Sequence, residues 1–272
     1  MNPLPHIHSL HVYPVKSCAG FSPDEVLLTA TGLAHDREWM VVGPDGRFIT
    51  QREAPRLALV RTAIAAGALE LSVPGLGAVA VPVDHGGPLS EVGVWRSRVP
   101  AFDAGGPAAG FFSTWLGRPA RLVRFDARHQ RLSNRDRTGA IRAPNLFSDG
   151  YPLMVLSEAS LQDLNRRMGR ELPLNRFRPN LVLGGVEAYA EDVLQEIEAE
   201  GLRLRRVKPC TRCVITTTDQ ATGRRDGEEP LQTLRRYKYD AALQGVVFGQ
   251  NMVLLLMAPS PRMRCGQAVI LR

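Results

Sequence analysis

Residues 207–219 read Val-Lys-Pro-Cys-Thr-Arg-Cys-Val-Ile-Thr-Thr-Thr-Asp and concentrate the chain's soft-ligand chemistry. Cys210 and Cys213 stand three positions apart beside Lys208 and Arg212. Such cations favour the thiolate, the form that attacks electrophiles and binds metals. On this reading either cysteine can be reactive. Apolar alternation at Leu202, Leu204 and Val207 predicts a strand entering the pair, and the β-branched run 214–218 predicts another leaving it. The thiols then lie at a strand end, in a loop that can carry function while the strands fix its place.

Other chemistries find less support. A Cys-x-x-Cys pair is half of a zinc site, but Cys18 and Cys265 are isolated and no His pair follows at finger-like spacing. A thioredoxin-like pair opens a helix after a strand, whereas β-formers follow Cys213. Two buried cysteines packing as small hydrophobes stay open from composition alone. The histidines show no paired ligand spacing apart from His6-x-His8 near the terminus. No Gly-x-Ser-x-Gly elbow and no dinucleotide fingerprint occur, so redox chemistry here would need electrons from a separate protein.

The chain's 272 residues suffice for two modest domains or one large one, and 44% hydrophobic content permits a proper core. The net charge of +7 suits an anionic small ligand or a solvated basic surface. Nucleic acid is not expected, because the arginines lack interleaved aromatics and no recognition helix is visible. Four cysteines and no signal peptide before the strand-like segment 7–15 point to a reducing, cytoplasmic setting. The longest clean apolar run, 252–258, falls short of the roughly 20 residues of a spanning helix, so no membrane anchor is expected.

The elements that must position the thiols are mostly strands. Segments 10–15, 26–29, 39–42, 48–50, 57–62, 69–73 and 78–83 alternate with Gly, Pro and Asp, and Gly43-Pro44-Asp45-Gly46 reads as a hairpin turn. This spacing predicts a small barrel or sandwich. Phe111, Phe112, Trp115 and Leu116 recur at helical spacing between Gly105 and Gly117 and read as core under an amphipathic helix. A strand over 118–125 and a long exposed loop over 126–142 follow, which divides the chain into 1–125 and 126–272. In the second half Ser157 caps a helix striped by Leu161, Leu164 and Met168 and stopped by Gly169. Strands are expected over 180–183, 202–207, 214–218, 246–256 and 268–271. The fold class is mixed and mainly β (α+β), with a few packed helices.

The chain resembles the MOSC family, the molybdenum-cofactor-binding domains that include the amidoxime-reducing components. The resemblance rests on Tyr13-Pro14-Val15-Lys16-Ser17-Cys18-Ala19-Gly20, Asp36-Arg37, Thr50-Gln51-Arg52, Phe147-Ser148-Asp149, Arg176-Phe177-Arg178-Pro179-Asn180, the cysteine stretch, Glu229-Pro230-Leu231 and Phe248-Gly249-Gln250-Asn251. It implies a MOSC β-barrel beside an N-terminal β domain, with the metal in a cleft between them. By that likeness Cys213 is the molybdenum ligand and the catalytic thiol, and Cys210 stands beside it.

For the remaining positions the residues alone leave two readings. Lys16 and Ser17 form either a phosphate-meeting strand end or a solvated turn; Arg37 offers either a fork for phosphate or an ion pair to Asp36 or Glu38. Arg178 and Asn180 flank the stiff Pro179 and either face a ligand or merely enter an edge strand. Gln250 and Asn251 meet the pterin edge or satisfy a barrel rim. The resemblance selects cofactor contact for Lys16, Ser17, Arg37, Arg178 and Asn180, and extends it to Ser148 and Asp149.

The function implied is two-electron reduction of N-hydroxylated compounds such as amidoximes and N-hydroxylated bases. Oxygen leaves as water, and a ferredoxin-, flavodoxin- or cytochrome-like protein donates the electrons. Sulfur transfer through a cysteine persulfide and simple carriage of the molybdenum cofactor (molybdopterin with molybdenum) are the alternatives.

Overall fold

The computed structural model describes residues 4–259 and 261–272. Its second half is built on an eight-stranded sheet. Seven strands run in the order His6–Leu10, Leu181–Gly184, Leu153–Ser157, Gly245–Met257, Leu202–Thr211, Glu196–Ala199 and Ile270–Leu271, and Tyr239–Asp240 pairs with the long strand. Only Leu153–Ser157 and Leu181–Gly184 run parallel, and the helix Glu158–Met168 lies in the connection between them. The sheet curls until its two ends meet, where His6 bridges Ala268 and Ile7 N donates to Gln267 O at 2.9 Å. Meeting edges leave few unpaired strand groups to solvent. Ile7, Leu10, Val155, Leu183, Leu204 and Met252 fill the interior.

The first half has its own cores. A four-stranded sheet orders Trp39–Val42, Arg121–Phe125, Ser97–Asp103 and Leu89–Val94, beside a meander of Arg61–Ala65, Ala68–Val73 and Gly77–Pro82. The helix Gly106–Leu116 buries Phe111 and Phe112 against Trp39, Leu71 and Leu122, so its aromatic stripe is core, as expected. Residues near the N-terminus nevertheless join the barrel: besides His6–Leu10, the strand Glu25–Thr29 pairs with Arg262–Arg264. Among the described residues no helix is long and apolar enough to cross a membrane.

Several expectations hold to within a residue or two, among them Trp39–Val42, Ala68–Val73, Gly77–Pro82, Leu181–Gly184 and the helix capped by Ser157, whose Oγ accepts from Ser160 N at 3.1 Å. Others do not. Residues 214–217 form a 3-10 turn instead of a strand, because Thr216 and Thr217 donate their hydroxyls back to Cys213 O (2.9 Å) and Val214 O (2.8 Å). Local side-chain bonds of this kind override β propensity. Pro55 opens another 3-10 turn, Pro55–Leu59, so the strand expected over 57–62 starts only at Arg61. The strand expected over 10–15 ends at Leu10, and Val12 and Val15 keep single bridges, as does Phe48.

The loop over 126–142 contains the one-turn helix Arg135–Thr138 and is not uniformly exposed, since Arg131 and Ser133 are buried. Strands Leu89–Val94, Ser97–Asp103, Leu153–Ser157 and Glu196–Ala199 carry no expectation from the sequence.

Candidate functional site

The strand Leu202–Thr211 pairs with Gly245–Met257 through three register shifts, the last between Pro209 and Thr211. Cys210 therefore sits at a bulge, where a missing proline donor is tolerated and a side chain can be re-aimed. Opposite, Gly249 has φ +75, and a Cβ there would stand 2.5 Å from Met154 Cε and 2.7 Å from Val155 O. The bulge and the glycine let the chain turn at Cys213, the residue before the 3-10 turn.

A cavity of about 140 Å³ opens at this point, between the barrel and the first half. Lys16, Ser17, Arg37, Ser148, Asp149, Arg178, Asn180, Cys213 and Asn251 all border it, so nine of the ten positions chosen from sequence converge. Gln250 does not. Its side chain points away from the cavity and donates Nε2 to Asp192 Oδ1 at 2.7 Å, because alternate residues of a strand face opposite sides. Asn180 spends its amide on the frame, accepting from Met154 N (3.1 Å) and donating to His11 O (3.2 Å). Asn251 donates to Pro209 O at 3.4 Å, and Ser148 to Asn145 Oδ1 at 3.1 Å.

Charge is distributed unevenly around the cavity. Lys16 is buried and donates to Asp149 Oδ1 (2.5 Å) and Phe147 O (2.8 Å); burial pulls its ammonium down and Asp149 opposes that pull. Arg37 pairs with the buried Asp36 at 2.5 Å, the ion pair open from sequence, while still bordering the cavity. Arg176 is compensated by Asp219 and Asp226.

Arg178 and Arg212 differ, since among the described residues neither meets a carboxylate. Arg178 donates Nη1 to Cys18 O at 2.6 Å; Arg212 donates Nε to Phe248 O (2.8 Å) and Nη1 to Phe177 O (2.9 Å). The remaining Nη2 of each is buried and has no partner among the described residues. Burial and the neighbouring Arg37 pull the Arg178 guanidinium down to about 10. Two cations with spare, buried donors form a site that asks for an anion, because an unsatisfied buried donor is costly.

The backbone is strained where these groups meet. Ser17, Arg37 and Arg178 have φ of +70, +50 and +53, a region that non-glycine residues rarely adopt. Outliers of this sort gather at ligand clamps.

The two thiols have different surroundings. Cys210 packs with Met154, Phe177 and Phe248, and burial pushes its thiol up, outweighing Arg212 and Lys208. It behaves as a small hydrophobe. Cys213 is half-buried on the cavity wall, where Arg52 Nη2 donates to its Sγ at 3.3 Å.

Comparison with known proteins fits this layout. The MOSC N-terminal beta barrel domain matches residues 4–119 and the MOSC domain matches residues 142–269. The mitochondrial amidoxime-reducing component 1 of Mus musculus is 36% identical over 263 residues, 91% of this chain and 77% of the relative. The corresponding human protein is 34% identical over 267 residues, covering 91% and 78%, and component 2 of Bos taurus is 36% identical over 245 residues, covering 85% and 72%.

The chain belongs to the MOSC family. Across its two MOSC regions, residues assigned no role from sequence complete the site. Arg52, present only as part of a resembling block, reaches Cys213 from the first half. Arg225 ties the halves together, donating to Gln51 O (2.7 Å), Arg52 O (3.0 Å) and Val214 O (2.6 Å). Arg131 pins the Ser148–Asp149 loop by donating to the carbonyls of Leu146 (2.6 Å), Ser148 (2.8 Å) and Asp149 (3.2 Å). The Tyr13 ring lies 4.5 Å from the Arg37 guanidinium and 4.2 Å from that of Arg178. Burial pushes its phenol up to about 12, so it stays neutral between two cations. Only the Tyr13 block itself hinted at this role, because cation stacking is a tertiary contact.

Proposed function

We propose that this protein is an oxidoreductase that binds a molybdenum cofactor and reduces N-hydroxylated compounds, amidoximes among them. The observation that carries the reading is the pair of guanidiniums, Arg178 and Arg212, which meet no carboxylate among the described residues and whose buried Nη2 donors are unpartnered, around a cavity that ends on the Cys213 thiol. The printed names of the relatives, amidoxime-reducing components, supply the substrate class.

The donor set suits an anionic pterin phosphate joined to a soft metal. Arg178 and Arg212 would supply charge-assisted hydrogen bonds with their free Nη2 atoms, and Ser17 a hydroxyl. Arg37 would add a fork already aimed by Asp36 and Tyr13. Cys213 would be the single thiolate ligand from the protein, since Cys210, although it also borders the cavity, packs against the hydrophobic cluster where burial holds its thiol protonated. Once bound, the group supplies a two-electron redox centre able to accept an oxygen atom. The chain's own part is to hold the anion, to present Cys213, and to keep Arg52 as a donor beside the sulfur. Electrons come from a separate carrier protein, because the sequence has no dinucleotide fingerprint. Four free cysteines fit a reducing compartment, which supports a cytoplasmic setting.

The test is metal and pterin analysis of protein made in a host that synthesises the cofactor, followed by turnover of an amidoxime with a chemical reductant. About one molybdenum per chain and reduction of the amidoxime to the amidine are expected, with no turnover on NADH alone. A labile sulfane sulfur without molybdenum would move the assignment to sulfur transfer. Bound cofactor without turnover would move it to carriage.

A further inference from the structure

A second cavity, of about 610 Å³, lies on the first-half side of the thiol site, between the 43–48 turn, residues 49–53 and Trp95. Arg52 borders it and also reaches the thiol: its Nη2 is 3.3 Å from Cys213 Sγ and its guanidinium lies 4.7 Å from the Trp95 ring centroid.

Trp95 is an unusual residue for its place. It occupies the first position of the two-residue turn between Leu89–Val94 and Ser97–Asp103, with φ +55, where glycine or asparagine is favoured. It stays 47% exposed despite its size. Yet the ring is held fast: Nε1 donates to Asp149 Oδ1 at 3.1 Å, the oxygen that also receives Lys16. Phe48 meets it at 5.2 Å and 58°, so two rings form an angled corner. Glu53 and Arg118 pair with each other at 3.2 Å in the lining, which also carries Asp45, Arg47 and Arg52 around the aromatic corner. An exposed aromatic that is both strained and anchored is organised to receive a flat partner.

We propose that this groove is the substrate pocket, and that it takes the planar aryl portion of an N-hydroxylated substrate against Trp95 and Phe48. The N–O group then reaches past Arg52 toward Cys213. Trp95 thereby sets a preference for aryl over alkyl compounds. This rests on the function proposed above, but its test does not depend on turnover.

The affinity of the purified, cofactor-loaded chain for benzamidoxime and for acetamidoxime is measured by calorimetry in the wild type, Trp95→Ala and Trp95→Phe. In parallel, kcat/KM for both compounds is compared with a chemical reductant. Loss of one stacked ring should weaken benzamidoxime binding about tenfold in Trp95→Ala. The aryl-to-alkyl ratio of kcat/KM should fall by about the same factor, and Trp95→Phe should recover most of both. Equal benzamidoxime affinity in wild type and Trp95→Ala overturns the pocket even if turnover is intact. Equal weakening of both compounds with loss of pterin assigns Trp95 to holding Asp149 and overturns it too. Trp95-dependent binding in a protein that reduces no N-hydroxylated compound leaves the pocket standing and removes the oxidoreductase reading instead.

Discussion

Replacing Arg178 with methionine keeps the volume of the side chain and removes its charge, which separates a structural role from a ligand-binding one. In the cofactor-free protein two effects oppose each other. The lowering of Arg178 from its ordinary value to about 10 corresponds to roughly 3 kcal/mol of unfavourable desolvation and cation crowding, which methionine relieves. The bond from Nη1 to Cys18 O, 2.6 Å long, is lost, at about 1.5–3 kcal/mol for a charged donor. The two nearly cancel, so urea unfolding of cofactor-free Arg178→Met should lie within about 1 kcal/mol of wild type. Cofactor retention has no such compensation. Loss of one charge-assisted contact of about 1.5–3 kcal/mol lowers affinity roughly tenfold to a hundredfold. Pterin content of protein purified under identical dilution should therefore drop sharply, as read by fluorescence after oxidation. A variant that unfolds several kcal/mol earlier while retaining full pterin would show that the guanidinium serves the fold and that the anion argument is wrong.

Cys213→Ala should abolish amidoxime reduction, whereas Cys210→Ala should keep part of it and cost about 1 kcal/mol of stability as a small cavity in its cluster; equal turnover by Cys213→Ala and wild type would remove the proposed ligand. Gly249→Ala should destabilise by more than about 2 kcal/mol, since a residue with φ +75 is strained and its Cβ would press on the Val155 carbonyl, and unchanged urea stability would refute this.

Glu191 is fully buried, and burial raises its pKa against the opposing pull of Ser160 and Ser157. The folded state therefore binds its proton more tightly than the unfolded state, and stability is lost as pH rises from the ordinary carboxylate range through the raised value. Glu191→Gln should flatten that loss, making the variant more stable than wild type at pH 8 and closer to it at pH 5. Parallel unfolding curves at the two pH values would show that the carboxyl is solvated.

Local chemistry alone determined much of this protein. The Ser157 cap and Gly169 stop, the aromatic stripe of Gly106–Leu116 and the continuous apolar run of Trp39–Val42 act within a few residues, so they are legible without the fold. The resembling blocks carried nine cavity residues in the same way, by identity and order. Where local signals competed, the sequence misled. The β-branched residues 214–217 promised a strand, but two threonine hydroxyls closed a turn; Gln250 shared a block with Asn251, but strand alternation sent it to the opposite face.

The difference between the two cysteines is tertiary. Lys208 and Arg212 neighbour both in sequence and both cysteines border the cavity, yet a bulge and the glycine opposite pack Cys210 against Phe177 and Phe248 and leave Cys213 beside Arg52. Arg52 stands 161 residues from Cys213 and Lys16 stands 133 from Asp149. Such pairs leave no periodicity or spacing to read, because only the closing of the barrel against the first half brings them within hydrogen-bond reach.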